Sequence, residues 1–218
     1  MIKTPWPRFA KGKPFKKIKL PIEMQYDIKT AYNMCRFNRI VYAEKDWDDD
    51  YQAFVSDGTV SLLDSDKPFC LMSDIPLDSF KKLDTLLRPL AEEWSGVELE
   101  FVNGYGVRSY VRDSILNVHR DNPASHIISA IIFVDEYPGK IKWPLDFVDH
   151  DKKHHQVTFE FGDMLLYESL CPHAREIPFP GEFYRNMYLH WKPKNWDPTP
   201  YSQNKLKYSS IQEALNEN

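Results

Sequence analysis

Two histidines and one aspartate are the residues of this 218-residue chain best placed by type and spacing to hold a metal. His119-Arg120-Asp121 follows a short apolar run, Ile115–Val118, that reads as a β-strand. Side chains repeat along a strand with period two, so an imidazole and a carboxylate two residues apart project to the same side. Further along, Gly162-Asp163 reads as a turn into a buried strand, Met164–Tyr167, and His173 comes just past its end. Two imidazoles and one carboxylate on one face of an octahedron leave three positions open. That is the ligand set of a non-haem ferrous centre, with room for a co-substrate and O2.

These side chains need a rigid frame, and the pattern around them supplies one. Strand candidates are Val97–Phe101, Gly106–Arg112, Ile115–Val118, His126–Val134, Gln156–Phe161, Met164–Glu168 and Phe183–Trp191, separated by Gly, Pro, Asp and Asn turns. Many short strands with such punctuation indicate a sandwich or barrel. One clear helix precedes them: Leu77, Phe80, Leu83, Leu86, Leu87 and Leu90 recur at helical spacing, with Asp74 as a candidate cap and Pro89 expected to kink or end it. The fold class expected is mainly β with flanking helices, around a double-stranded β-helix (jelly-roll, cupin-like) core. Residues 1–22 read as a basic extended arm and 23–95 as a mixed segment packing on the core. Residues 96–195 read as the core, and 196–218 as a polar tail with a short helix near Ile211–Leu215.

Composition narrows the setting. The formal net charge of -4 and pI near 6.0 give no footprint for nucleic acid. Cys35, Cys70 and Cys171 are odd in number and include no C-x-x-C pair, which suits thiols in a reducing, cytoplasmic compartment. The longest strongly apolar stretch, Ile127–Val134, falls well short of the roughly 20 residues of a membrane span. The basic N-terminal run and the acidic cluster Asp46-Trp47-Asp48-Asp49-Asp50 read as solvated surface. His150, His154 and His155, with Asp149 and Asp151, crowd one Lys-rich turn that reads as a hairpin loop rather than a second metal site.

With those residues in place, the sequence resembles the 2-oxoglutarate/Fe(II) oxygenases of the prolyl 4-hydroxylase type. The matching stretch runs from about Tyr105 to Pro193. It takes in Tyr110-x-x-Asp113, His119-Arg120-Asp121-Asn122-Pro123, the apolar strand Ile127–Val134, Gly162-Asp163, His173 and the last strand Tyr184–Trp191. The resemblance implies an enzyme that uses Fe(II), O2 and 2-oxoglutarate. It would hydroxylate a C–H bond of a small-molecule or peptide substrate, peptidyl proline among them, with release of succinate and CO2. It also implies that Tyr110 contacts the co-substrate.

The distal carboxylate of 2-oxoglutarate calls for a cation, usually a Lys or Arg about ten residues after the last His ligand in these enzymes. Here that count lands on Glu182 and Phe183, a departure from the pattern. Arg175 and Arg185 are the candidates, and a His-x-Arg sequence in related members favours Arg175. Tyr184, Asn186 and His190 share one face of the last strand and, with Ser129 and His126, are candidate pocket residues. Two rival readings share the fold: a cupin-like metal enzyme that does not use 2-oxoglutarate, and a non-catalytic binding domain.

Overall fold

The computed structural model describes residues 6–37, 41–43, 60–62 and 70–217. The acidic cluster at 46–50 lies outside them. In chain order the elements are β1 (Phe15–Lys19), α1 (Ile22–Phe37), β2 (Val41–Ala43), β3 (Val60–Leu62), β4 (Cys70–Ser73), α2 (Leu77–Ser95), β5 (Leu99–Val111) and β6 (Ser114–His119). Then come β7 (Ile128–Tyr137), β8 (Leu145–Val148), β9 (His154–Val157), β10 (Asp163–Glu168), β11 (His173–Arg175), β12 (Phe183–Pro193) and α3 (Ile211–Leu215).

The strands form two antiparallel sheets. The larger has the order β1-β10-β7-β12-β5-β4-β2 and the smaller β3-β6-β11-β8-β9. They face each other across an aromatic-rich interior that includes Tyr110, Phe133, Trp143, Phe147, Leu165 and Tyr184. This is the expected jelly-roll. Period-two alternation sorts β12 cleanly. Tyr184 and Tyr188 enter that interior, while Met187, Leu189 and Trp191 turn to the other surface and pack against the two long helices. Trp191 also donates from Nε1 to the Asp84 carboxylate of α2 at 2.8 Å, which ties helix to sheet.

Several expectations need correcting. Part of the supposed arm is a strand: β1 pairs with β10 from Phe15↔Tyr167 to Lys19↔Asp163 and closes one edge of the larger sheet. Its lysines have a use there, since Lys17 and Lys19 both reach Asp163, at 3.2 and 3.0 Å, and a charged edge discourages pairing with other chains. Helix α2 continues through Pro89 to Ser95 and ends at Gly96, whose φ of 73° suits glycine and whose N–H bonds Glu92 O. Pro89 and Thr85 are both exposed, so water can serve the carbonyl that the proline leaves without a donor. The helix is capped by Pro76 with no side-chain hydrogen bond, not by Asp74. Leu86 and Leu90 face solvent rather than the core, where Ala91 takes its place beside Leu83 and Leu87.

The C-terminal tail is firmly attached. Lys207 bridges His119, Tyr208 N–H bonds Val118 O at 3.0 Å, and Ile211 and Ala214 bury against Val118, Val148 and Ala174 on the outer face of the smaller sheet. Strands β8 and β11 were not foreseen, and β9 ends at Val157 rather than continuing to Phe161. Cys70 and Cys171 are buried and form no disulfide. No helix among the described residues is long and apolar enough to cross a membrane.

Candidate metal centre

His119 ends β6 and His173 begins β11, and the two are direct cross-strand partners. Their ring centroids lie 4.3 Å apart. Arg120 points outward, and Asp121 returns inward beside the histidines, its N–H held by Ser169 O at 2.9 Å. Asp121 Oδ1 is 3.6 Å from His119 Nε2 and 4.0 Å from His173 Nε2. All three side chains are buried, and one ligand atom from each lies within 4.8 Å of the others. Neighbouring ligands on an octahedron of ~2.1 Å bonds sit about 3 Å apart, so a contraction of about 1 Å would seat a metal.

The hydrogen bonds behind the ligands fix the right tautomers. His119 Nδ1 meets Asn117 O at 2.7 Å, and His173 Nδ1 meets Cys171 O at 3.0 Å. A carbonyl only accepts, so each Nδ1 carries a proton, and Nε2, on the side of Asp121, is the nitrogen left for a metal. The second oxygen of Asp121 is occupied on its other side, with His126 Nε2 at 3.2 Å and the Tyr167 hydroxyl at 3.4 Å. That leaves Oδ1 as the oxygen turned to the two ligand histidines.

Charge follows the same logic. Burial alone would raise the Asp121 carboxyl, but His126, His119 and His173 hold it well below the usual carboxylate range. Burial, with His119 alongside, pulls the His173 imidazole down from 6.5 to about 4. A buried carboxylate and a neutral imidazole are the forms in which these groups bind a metal. The donor set therefore fits a divalent ion with open coordination positions.

A narrow cavity extends from the ligands into the barrel. Tyr110, Arg175 and Asn186 line it, together with His126 and His190. Arg175, which also lines it, is almost wholly buried. It donates from Nη1 to Trp143 O and from Nη2 to the Tyr184 hydroxyl at 3.5 Å, with its guanidinium 4.3 Å from the Trp143 ring centre. Tyr184 thus stands behind Arg175 rather than on the cavity wall. Ser129 also stands one layer back, with its hydroxyl 2.7 Å from His190 Nδ1. The His126 and His190 rings lie tilted against each other, 3.9 Å between centroids. Arg185 is not brought to the cavity. It lies on the opposite face of β12, paired with Asp135 at 2.9 Å and set over the Tyr32 ring.

Arg108 is a lining residue that the sequence reading missed. It stands two positions before Tyr110 on β5, so strand alternation already put it on the same face. In the Lys-rich turn the three histidines diverge: His154 pairs with Asp146, His155 with Asp149, and His150 with Glu168. His150, Glu168 and Cys171 do form a second cluster of potential ligand atoms. Glu168 is already committed there, because its other oxygen accepts the N–H groups of Phe9 and Ala10.

Neither a protein-family profile nor a curated protein matches the sequence. Solved structures do match in fold. One is a prolyl hydroxylase from Trichoplax adhaerens in complex with a hypoxia inducible factor peptide fragment: TM-score 0.56, 12% identity, 87% of this chain and 88% of that one covered. EctD from S. alaskensis with bound Fe gives a TM-score of 0.55 at 12% identity over 84% of this chain and 74% of that one. HygX from Streptomyces hygroscopicus, with nickel and 2-oxoglutarate bound, gives 0.51 at 13% identity, with 83% and 82% covered. At such identities the likeness establishes a shared fold.

Proposed function

We propose that this chain is an Fe(II)- and 2-oxoglutarate-dependent oxygenase that hydroxylates a C–H bond of a small-molecule or peptide substrate. One observation carries the reading. His119, Asp121 and His173 converge on a cavity that the buried guanidinium of Arg175 also lines. A ferrous ion bound there with 2-oxoglutarate would supply the oxidation, in which 2-oxoglutarate, O2 and R–H become succinate, CO2 and R–OH. The relatives reported above that carry a metal, 2-oxoglutarate or a peptide substrate support this reading by their shared fold.

The chain's own residues have separate tasks. His119 and His173 present Nε2, and Asp121 presents Oδ1. The Tyr167 hydroxyl donates to Asp121 Oδ2 at 3.4 Å, with His126 Nε2 3.2 Å from the same oxygen, which leaves Oδ1 on the side of the metal. Arg175 takes the distal carboxylate of 2-oxoglutarate, because a planar fork matches a carboxylate in two parallel hydrogen bonds. The Tyr110 hydroxyl, 3.3 Å from that of Tyr188, belongs to a residue lining the same cavity and can contact the co-substrate. Trp143, Tyr184 and Phe147 keep the interior dry, which strengthens each of these charged contacts.

The test is succinate formation from 2-oxoglutarate by purified protein with Fe(II) and O2, set beside Asp121→Ala. A slow, O2-dependent release of succinate without added substrate, lost in Asp121→Ala, is the expected result. No release above the variant in any condition would defeat the reading. A prolyl peptide is the first substrate to add, because one structural relative is a prolyl hydroxylase.

A further inference from the structure

His150, Glu168 and Cys171 each offer a ligand atom, and these atoms lie within 4.8 Å of one another. Of the three histidines in the Lys-rich turn, His150 is the one turned to this group. Glu168 ends β10 and Cys171 lies in the turn that follows, so the fold assembles the cluster and the hairpin alone does not. His150 and Cys171 line a cavity of about 400 Å³ that is separate from the one at His119, Asp121 and His173.

The carboxylate is the best fixed of the three. Glu168 is 1% exposed, and its Oε1 accepts the N–H groups of Ala10 and Phe9 at 2.7 and 3.2 Å. That leaves Oε2 turned to His150 Nε2, 2.6 Å away. The same nitrogen is 3.6 Å from Cys171 Sγ. Ligand atoms on a tetrahedral zinc sit about 3.3 to 3.6 Å apart, so the nitrogen–sulfur spacing already fits and the nitrogen–oxygen pair has to open by about 0.7 Å. The cations around the cavity do not oppose an ion there, because acids already hold them. Arg8 pairs with Asp151 at 2.6 Å, and Arg120 and Lys152 with Glu217 at 2.8 and 3.7 Å.

We propose that His150 Nε2, Glu168 Oε2 and Cys171 Sγ bind zinc(II), with water from the cavity as the fourth ligand. A neutral imidazole, a carboxylate and a thiolate balance a divalent charge, and a sulfur ligand selects zinc over manganese, which favours oxygen. On binding, the thiol proton leaves to solvent and the ion displaces the hydrogen between His150 and Glu168. The ion braces a turn that serves the first centre, since Ser169 O holds Asp121 N–H at 2.9 Å and Cys171 O meets His173 Nδ1 at 3.0 Å. The site does not depend on the function proposed for that centre.

Cobalt(II) titration of the reduced, metal-free full chain tests this, because the first centre has no sulfur ligand and only a thiolate gives cobalt a sulfur-to-metal charge-transfer band in the near ultraviolet. The expected result is such a band that saturates at one ion per chain and is displaced by zinc(II). It should persist in Asp121→Ala, vanish in Cys171→Ser and need at least tenfold more cobalt in His150→Gln. If Cys171→Ser does not fold, His150→Gln still decides. No band at any cobalt concentration, a band that survives Cys171→Ser, or equal affinity in wild type and His150→Gln would overturn the proposal.

Discussion

His119 and His173 face each other across two antiparallel strands, as a direct Cα pair with rings 4.3 Å apart. The pairing of these two imidazoles is therefore a property of strand register. A slip of one residue in either strand would turn one imidazole to the outer face. Both neighbouring segments pin that register. Arg120 N–H bonds Leu206 O at 2.7 Å, and Val148 N–H bonds Pro172 O at 2.9 Å, so the tail and β8 clamp the two strand ends.

Arg175 and Arg185 should separate cleanly. Arg175→Met should raise the 2-oxoglutarate concentration needed for succinate release by tenfold or more. It should also lower stability by about 1–3 kcal/mol, because Trp143 O loses its donor in a buried place. Arg185→Met loses the Asp135 pair but should leave the 2-oxoglutarate requirement unchanged. Succinate assays across co-substrate concentrations, with urea unfolding of both variants, check the pair.

Acid should weaken the metal-free protein in a defined window. His173 is neutral in the fold with a pKa of about 4, against 6.5 when unperturbed. The unfolded chain thus binds more protons between those values, and stability falls as pH drops from about 6.5 to about 4. The full shift corresponds to about 3 kcal/mol. Asp121, held low by its imidazoles, begins to lose its contribution only below 3.8. Urea unfolding with chelator from pH 8 to pH 4 should show the drop, and His173→Gln should flatten it.

Gly106 tests the packing of β4 on β5. A Cβ at that position would come within 1.8 Å of Ser73 O, a backbone atom that cannot swing aside. Gly106→Ala should cost at least ~1–3 kcal/mol, read as a lower melting temperature. A variant as stable as wild type would mean that β4 does not lie where it is described.

Much of this was legible in the sequence because strand periodicity is strong where one face is buried. His119 and Asp121 fall on one face by spacing alone, and Tyr184, Asn186 and His190 likewise. The same rule, carried one step further, would have sent Arg185 outward and brought Arg108 in beside Tyr110. Other features had no local signal. Phe15–Lys19 looks like a basic arm until β10 is present to pair with it, and only the fold reveals that Glu168 is held by Phe9 and Ala10. Short strands such as Leu145–Val148 and His173–Arg175 are too brief for periodicity to register. Helix α2 overran Pro89 because water can serve the outward side of a surface helix.

The most direct test is thermal stability of the purified chain with Mn(II) and 2-oxoglutarate, added separately and together. Ligand at about 100 times its Kd stabilises a folded protein by roughly 2.7 kcal/mol. Mn(II) alone should raise the melting temperature, 2-oxoglutarate should add to that only when Mn(II) is present, and Asp121→Ala should remove both effects. Stabilisation by 2-oxoglutarate without metal, or by Mn(II) equally in wild type and Asp121→Ala, would contradict a metal held by His119, Asp121 and His173.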